Sequence, residues 1–163
     1  MEKAKEFAIK NHGDQKYGEF PYAFHLRKVV GVLERFGYGD SQLLVSSAWL
    51  HDVVEDTNVT IEEIDRIFGE NVADIVWRVT TSKDGKNRKE RHLKTYPKIR
   101  GRQEAVLVKL ADRIANSEQC CAGGNPGLHS MYQKEYPFFR EALFRQDEFP
   151  EMWDLLDTLL LIK

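Results

Sequence analysis

Apolar residues recur along this chain at intervals of three and four, while alternating runs of β-branched and aromatic residues between turn signals are hard to find. That pattern predicts helices throughout and an all-α fold. The spacing predicts helices over 2–11, 24–36, 41–54, 61–68, 70–80, 86–96, 102–120, 131–145 and 152–162. Several stops have local causes. Gly37 and Gly39 interrupt "RFGYGD", and Thr60 and Glu63 have the spacing of a capping box ahead of the next helix. Pro21, Pro97, Pro126, Pro137 and Pro150 fall mostly at or near expected breaks. "CAGGNPGLHS" reads as the main loop and "TSKDGKNRKER" as an exposed basic one.

Two of these helices are too apolar for a single narrow stripe and should be central, the ones over 41–54 and 102–120. Both also end in charge. His51, Asp52, Glu55 and Asp56 lie near the C-terminal end of the first, where burial desolvates carboxylates and the helix dipole disfavours anions. Something cationic must compensate. Residues four apart share a helix face, so His51 sits under Glu55 and Asp52 under Asp56, while Asp112 and Asn116 repeat the spacing in "VKLADRIAN". With His25 from "PYAFHL", two imidazoles and two carboxylates, His25, His51, Asp52 and Asp112, can converge on one divalent cation. A mixed nitrogen and oxygen set without thiolate suits Mn²⁺ or Fe²⁺, with Mg²⁺, Co²⁺, Ni²⁺ or Zn²⁺ as competitors. Each piece alone has a plainer explanation. A single helical His is more often core than ligand, Arg113 in "ADR" could serve a structural ion pair, and "VVEDT" could be a frayed helix end. Jointly, on segments whose apolar company predicts partial burial, they are harder to dismiss.

Composition narrows the function classes. The 163 residues suit one compact domain spanning 1–163. With 24 basic against 26 acidic residues, net charge −2, no global field recommends nucleic acid or an anionic membrane as a partner. The neighbouring Cys120 and Cys121 cannot form an ordinary disulfide with each other, which fits a reducing cytoplasm. The first residues are charged where a signal peptide would be apolar, and no apolar run approaches the ~20 residues of a membrane span. A soluble, cytoplasmic protein is expected.

The segments "HGDQK…PYAFHL", "AWLHDVVEDTNVTIEEIDRIFGENVADIVWRVTTSK" and "VLVKLADRIANSEQC" follow one another in that order. With them the chain resembles the HD-domain metal-dependent phosphohydrolases, and among these the hydrolase domain of the RelA/SpoT family and its small stand-alone SpoT-like forms. The resemblance runs to about Cys120; from Gly123 onward only helical character matches. It implies an all-α HD fold in which His25, His51, Asp52 and Asp112 bind Mn²⁺. It further implies that Glu55 and Asp56 are catalytic acids and that Asn116 helps hold the nucleotide. Lys16 stands where the family commonly has a nucleotide-binding arginine, which keeps the charge and loses the flat two-pronged donor. Leu26 stands where a proline is usual.

The implied activity is hydrolysis of the 3′-pyrophosphate of guanosine tetra- or pentaphosphate, (p)ppGpp, to GDP or GTP and pyrophosphate. The residue types suit it: a divalent cation acidifies water and withdraws charge from phosphoryl oxygens, and carboxylates one turn away can move protons. Lys16 and the group Lys83, Lys86, Arg88, Lys89 and Arg91 are candidate phosphate contacts, as is Lys109; a solvated loop explains the group equally well. His12, His92 and His129 receive no catalytic role. Two alternatives stand beside this reading. One is the same chemistry on another small phosphorylated nucleotide, such as NADPH at its 2′-phosphate. The other is a nucleotide-binding domain without turnover, against which a pair of buried acids would argue. In each case the partner is a small-molecule nucleotide. The sequence leaves the oligomeric state open.

Overall fold

The computed structural model describes residues 1–161. In chain order it contains α1 (Glu2–His12), β1 (Lys16–Tyr17), β2 (Phe20–Pro21), α2 (Ala23–Arg35), α3 (Gln42–Leu50) and α4 (Val53–Asp56). There follow α5 (Ile61–Phe68), α6 (Glu70–Val79), α7 (Arg88–Arg100), α8 (Gln103–Cys121), α9 (Pro126–Leu143) and α10 (Pro150–Leu160). The fold is all-α. Its one sheet among the described residues is a minimal antiparallel hairpin pairing Lys16 with Pro21 and Tyr17 with Phe20.

The central element is α8, which buries residues on every side and packs against α2, α3, α6, α7, α9 and α10. In α3 every residue from Leu44 to Leu50 is buried. One cluster of buried apolar side chains runs from Ala4 to Leu160 and includes Trp153, Tyr136 and Phe139 at full burial. Each large apolar side chain removed from water contributes roughly 1.5–3 kcal/mol, and that gain is what lets α3 and α8 carry polar groups into the interior. Capping is local and explicit. Ser41 Oγ accepts from the Leu44 N–H at 3.3 Å and Thr60 Oγ1 from the Glu63 N–H at 3.2 Å, the latter at the spacing read from the sequence.

Three expectations change. The helix expected over 41–54 is two, because the backbone leaves helical geometry at Asp52 (φ −102°, ψ −8°) between α3 and α4. Neighbours on a straight helix point about 100° apart, so a break there is what allows His51 and Asp52 to face one point. Pro97 and Pro137 lie inside α7 and α9 rather than at their ends. Both prolines are exposed, so the helix hydrogen bond each forgoes lies on a solvent-facing side. Helix α9 begins at Pro126, five residues early, with Asn125 Oδ1 accepting from the Leu128 N–H at 3.0 Å, which shortens the "CAGGNPGLHS" loop. The end of the last expected helix at Ile162 lies outside the described residues.

Candidate metal centre and its cleft

His25 comes from the first turn of α2, His51 and Asp52 from the break after α3, and Asp112 from the middle of α8. These three stretches are held in register by the packing of α2, α3 and α8 on one another. Potential ligand atoms of His25, His51 and Asp52 all lie within 4.8 Å of one another. Asp52 Oδ2 is 3.0 Å from His51 Nε2 and 3.5 Å from His25 Nε2. Asp112 Oδ1 closes the set at 3.4 Å from His25 Nε2 and 3.7 Å from His51 Nε2. The side chains of His25, His51 and Asp52 therefore converge on one spot, and Asp112 faces both imidazoles.

The His51 tautomer follows from its surroundings. Its Nδ1–H donates to the Ala48 carbonyl at 2.7 Å, so in the neutral ring, the form that can bind a cation, Nε2 carries the lone pair. That Nε2 is buried and has no hydrogen-bond partner although Asp52 lies so near. A buried, unpartnered imidazole nitrogen aimed between two carboxylates fits a divalent cation, and the nitrogen and oxygen donors exclude none of the candidate ions. With no cation bound, burial opposes charge on His25 and His51, yet Asp52 and Asp112 raise both pKa values, that of His51 well above the ordinary range. Burial likewise opposes ionisation of the two acids. Asp52 is nevertheless held well below the usual carboxylate range by His51 and His25, and Asp112 by Lys109 and the imidazoles.

Around the four side chains lies a ring of donors. The Tyr22 hydroxyl donates to Asp52 Oδ2 at 2.6 Å, and burial beside that carboxylate drives its pKa up. Asn116 Nδ2 donates to Asp112 Oδ1 at 2.6 Å, and its own Oδ1 accepts from the Tyr17 hydroxyl at 2.8 Å. Lys109 Nζ pairs with Asp112 Oδ2 at 2.7 Å. Asn116 and Lys109, expected at the nucleotide, thus both touch Asp112, and both also line the cleft above it.

That cleft, of about 260 Å³, is lined by His25, Asp52 and Asp112, with His51 buried behind them, and further by Tyr17, Tyr22, Glu55, Arg88, His92 and Arg113. Glu55 Oε2 accepts from the Thr81 N–H at 2.8 Å. Asp56 does not line the cleft; its Oδ2 accepts from Gln15 Nε2 at 2.8 Å. Both acids are exposed, which corrects the expectation of a buried pair: the short α4 turns them outward, away from the core that holds His51. Of the expected basic group only Arg88 reaches the cleft, paired with Glu135. Arg113 is buried, stacked over Tyr132 and 3.4 Å from Glu135, the structural ion pair its sequence position suggested. His92 is pushed down to about 4 by burial and the neighbouring Arg88, so it is neutral at physiological pH. Lys16 lines a neighbouring cleft of about 530 Å³ between the hairpin and the connection from α8 to α9, with Tyr17 and Leu128 common to both clefts.

Sequence reasoning missed Tyr22, Tyr17 and Gln15 as cleft or acid-binding groups. Gln15 and Tyr22 both lie inside the "HGDQK…PYAFHL" text, and that membership is the signal that could have singled them out.

A family model for the HD domain matches residues 4–129. The chain is 36% identical over 116 residues to the guanosine-3′,5′-bis(diphosphate) 3′-pyrophosphohydrolase MESH1 of Xenopus tropicalis, covering 69% of this chain and 65% of that protein. It is 38% identical over 122 residues to a probable guanosine-3′,5′-bis(diphosphate) 3′-pyrophosphohydrolase of Synechocystis, covering 68% of this chain and 15% of that protein. The chain therefore spans less than two thirds of the length of either curated relative. Among solved structures, one described as a metazoan ortholog of SpoT that hydrolyzes ppGpp superposes with a TM-score of 0.83 at 23% identity. That superposition covers 97% of this chain and 92% of the other and shows a shared fold.

Proposed function

Because the chain belongs to the HD-domain family, we propose that it hydrolyses the 3′-pyrophosphate of (p)ppGpp, releasing pyrophosphate and GDP or GTP, with one divalent cation held by His25, His51, Asp52 and Asp112. The observation that carries the reading is the convergence of four buried or half-buried donors on one spot, with His51 Nε2 left unpartnered there. The relatives named as 3′-pyrophosphohydrolases support the substrate class. The whole of 1–163 is read as one such domain, since a single apolar cluster joins α1 to α10. A cytoplasmic setting is proposed from the two free cysteines, Cys120 and Cys121. Among the described residues no helix is long and apolar enough to cross a membrane.

In the proposed reaction water adds to phosphorus, the bond from that phosphorus to the ribose 3′-oxygen breaks, and one proton leaves the water while one reaches the departing oxygen. The cation, Mn²⁺ in this proposal, would supply Lewis acidity toward water and phosphoryl oxygens. Everything else falls to side chains of this chain. Glu55 is tethered through Oε2 to the Thr81 N–H, which leaves Oε1 without a protein partner among the described residues and available to take or return a proton. Asp56, tethered through Oδ2, likewise keeps Oδ1 available. Arg88 and Lys109 bring basic groups to the cleft for phosphate, and neutral His92 beside them adds a hydrogen-bonding group without charge. Asn116 and Lys109 hold Asp112, and Lys16 is assigned to the nucleoside side from its place in the adjoining cleft.

The deciding experiment incubates the Mn²⁺-loaded protein with ppGpp, NADPH or a deoxynucleoside monophosphate and identifies the phosphate product. Pyrophosphate from ppGpp is expected. Orthophosphate alone, from NADPH or the monophosphate, would transfer the chemistry to another nucleotide, and bound nucleotide with no product would make the protein a binder.

The hydroxyl on Asp52 gives a separate test of the metal assignment. Tyr22→Phe removes one donor and keeps the ring that stacks at 4.5 Å on His12. Mn²⁺ affinity, measured by calorimetry, should fall about 10–100-fold, the usual cost of removing a hydrogen bond to a ligating carboxylate, with the melting temperature little changed.

A further inference from the structure

We infer that Gln15, locked by His12, is a positioning residue that fixes the orientation of the Asp56 carboxylate; the inference rests on the proposed proton-transfer role of Asp56. Gln15 lies in the connection after α1, where a polar side chain would ordinarily be solvated. Instead all four of its polar groups are committed. Its N–H donates to the His12 carbonyl at 3.0 Å, and its carbonyl accepts from the Tyr22 N–H at 3.0 Å. Its Oε1 lies 2.8 Å from His12 Nδ1, and its Nε2 donates to Asp56 Oδ2 at 2.8 Å.

Such a side chain has one orientation. Only the amide NH₂ can face an ionised carboxylate, so the amide oxygen must face a donor, which makes His12 the Nδ1–H tautomer. His12 cannot easily turn away. It is 6% exposed, its ring stacks on Tyr22, and its Nε2 is buried without a partner. Tyr22 in turn donates to Asp52. A continuous chain of contacts thus runs from Asp52 through Tyr22, His12 and Gln15 to Asp56, outside the 52–56 stretch that carries both acids.

The consequence is specific to Asp56. Exposed on the four-residue α4, its carboxylate would otherwise rotate and exchange its two oxygens. With Oδ2 held by Gln15, Oδ1 is the oxygen left without a protein partner among the described residues, and its direction is set before substrate arrives. Gln15 and His12, like Asp56, line no part of the metal cleft, and the contact they make toward the site is the one to the Asp56 carboxylate, so their effect passes through it.

The test is Gln15→Met, which keeps the side-chain length and removes both amide contacts. For pyrophosphate release from ppGpp, kcat should fall about tenfold or more, while KM and Mn²⁺ stoichiometry stay within about twofold. In an Asp56→Asn background the same change should lower kcat by less than about twofold, because its effect travels through a carboxylate already gone. An unchanged kcat in the single variant, or losses that multiply in the double variant, would overturn the inference. The contact is also readable without turnover. Long-range ¹H–¹⁵N spectra of the Mg²⁺-loaded wild type should show His12 protonated at Nδ1, and protonation at Nε2 alone overturns the inference too. A wild type that releases no pyrophosphate refutes the hydrolase reading, a result distinct from either of these.

Discussion

Replacing Asp112 with asparagine should cost the protein its divalent cation and all measurable pyrophosphate release. Asp112 is the one carboxylate that α8 contributes to the cluster, and it faces both imidazoles while pairing with Lys109. Asparagine keeps the volume and removes the charge, so the proposed cation would lose an anionic ligand and Lys109 its ion-pair partner. Breaking a buried ion pair by removing one partner costs about 3–5 kcal/mol, so thermal stability should drop as well, and the two losses must be read separately. Circular dichroism at low temperature shows whether the variant is folded; elemental analysis of that folded material shows whether it holds metal. Stoichiometric Mn²⁺ in a folded Asp112→Asn protein would remove Asp112 from the ligand set.

Glu55→Gln should produce the opposite combination, full metal occupancy with turnover reduced about 10²–10⁴-fold, the range that general acid–base groups supply. The amide still offers an oxygen to the Thr81 N–H, so the tether survives while the capacity to accept a proton does not. Steady-state kinetics on protein of measured Mn²⁺ content separates this from a metal-binding defect. Turnover within a few-fold of wild type would take Glu55 out of the reaction and leave Asp56, with Gln15 behind it, as the acid of interest.

The metal candidates were legible because they combine two short-range signals, an apolar run that predicts burial and polar side chains that burial would otherwise penalise. His51, Asp52 and Asp112 all violate their helices' apolar character, and all three come to one place with His25. What was illegible is the geometry that no local signal encodes. Nothing at Leu50 to Val53 resembles a helix stop; there is no glycine or proline, and the apolar pattern continues. The break arises because α8 and α2 bring partners to one side of His51, a tertiary demand that overrides local propensity. The exposure of Glu55 and Asp56 follows from that same break, so a straight-helix reading could not anticipate it. The hairpin at 16–21 is too short to show a period of two, yet it delivers Tyr17 to Asn116 across nearly a hundred residues of sequence. The early start of α9 is different in kind. Its asparagine cap and first-turn proline stand in "GGNPG", and the glycines beside them drew attention to a loop instead.

The hydrogen bond from His51 to the Ala48 carbonyl carries a consequence for how this site tolerates sequence drift. Asp52 and Asp112 owe their orientation to the side chains of Tyr22, Asn116 and Lys109, each of which one codon change can erase. The His51 ring is oriented by main chain, and no substitution at position 48 short of one that unravels α3 can delete that acceptor. The orientation of His51 is therefore insulated from mutation of its neighbours, and that of the two aspartates is not. Random mutagenesis should find its metal-deficient survivors among the neighbours of the aspartates, with position 48 constrained only by the volume a buried alanine leaves.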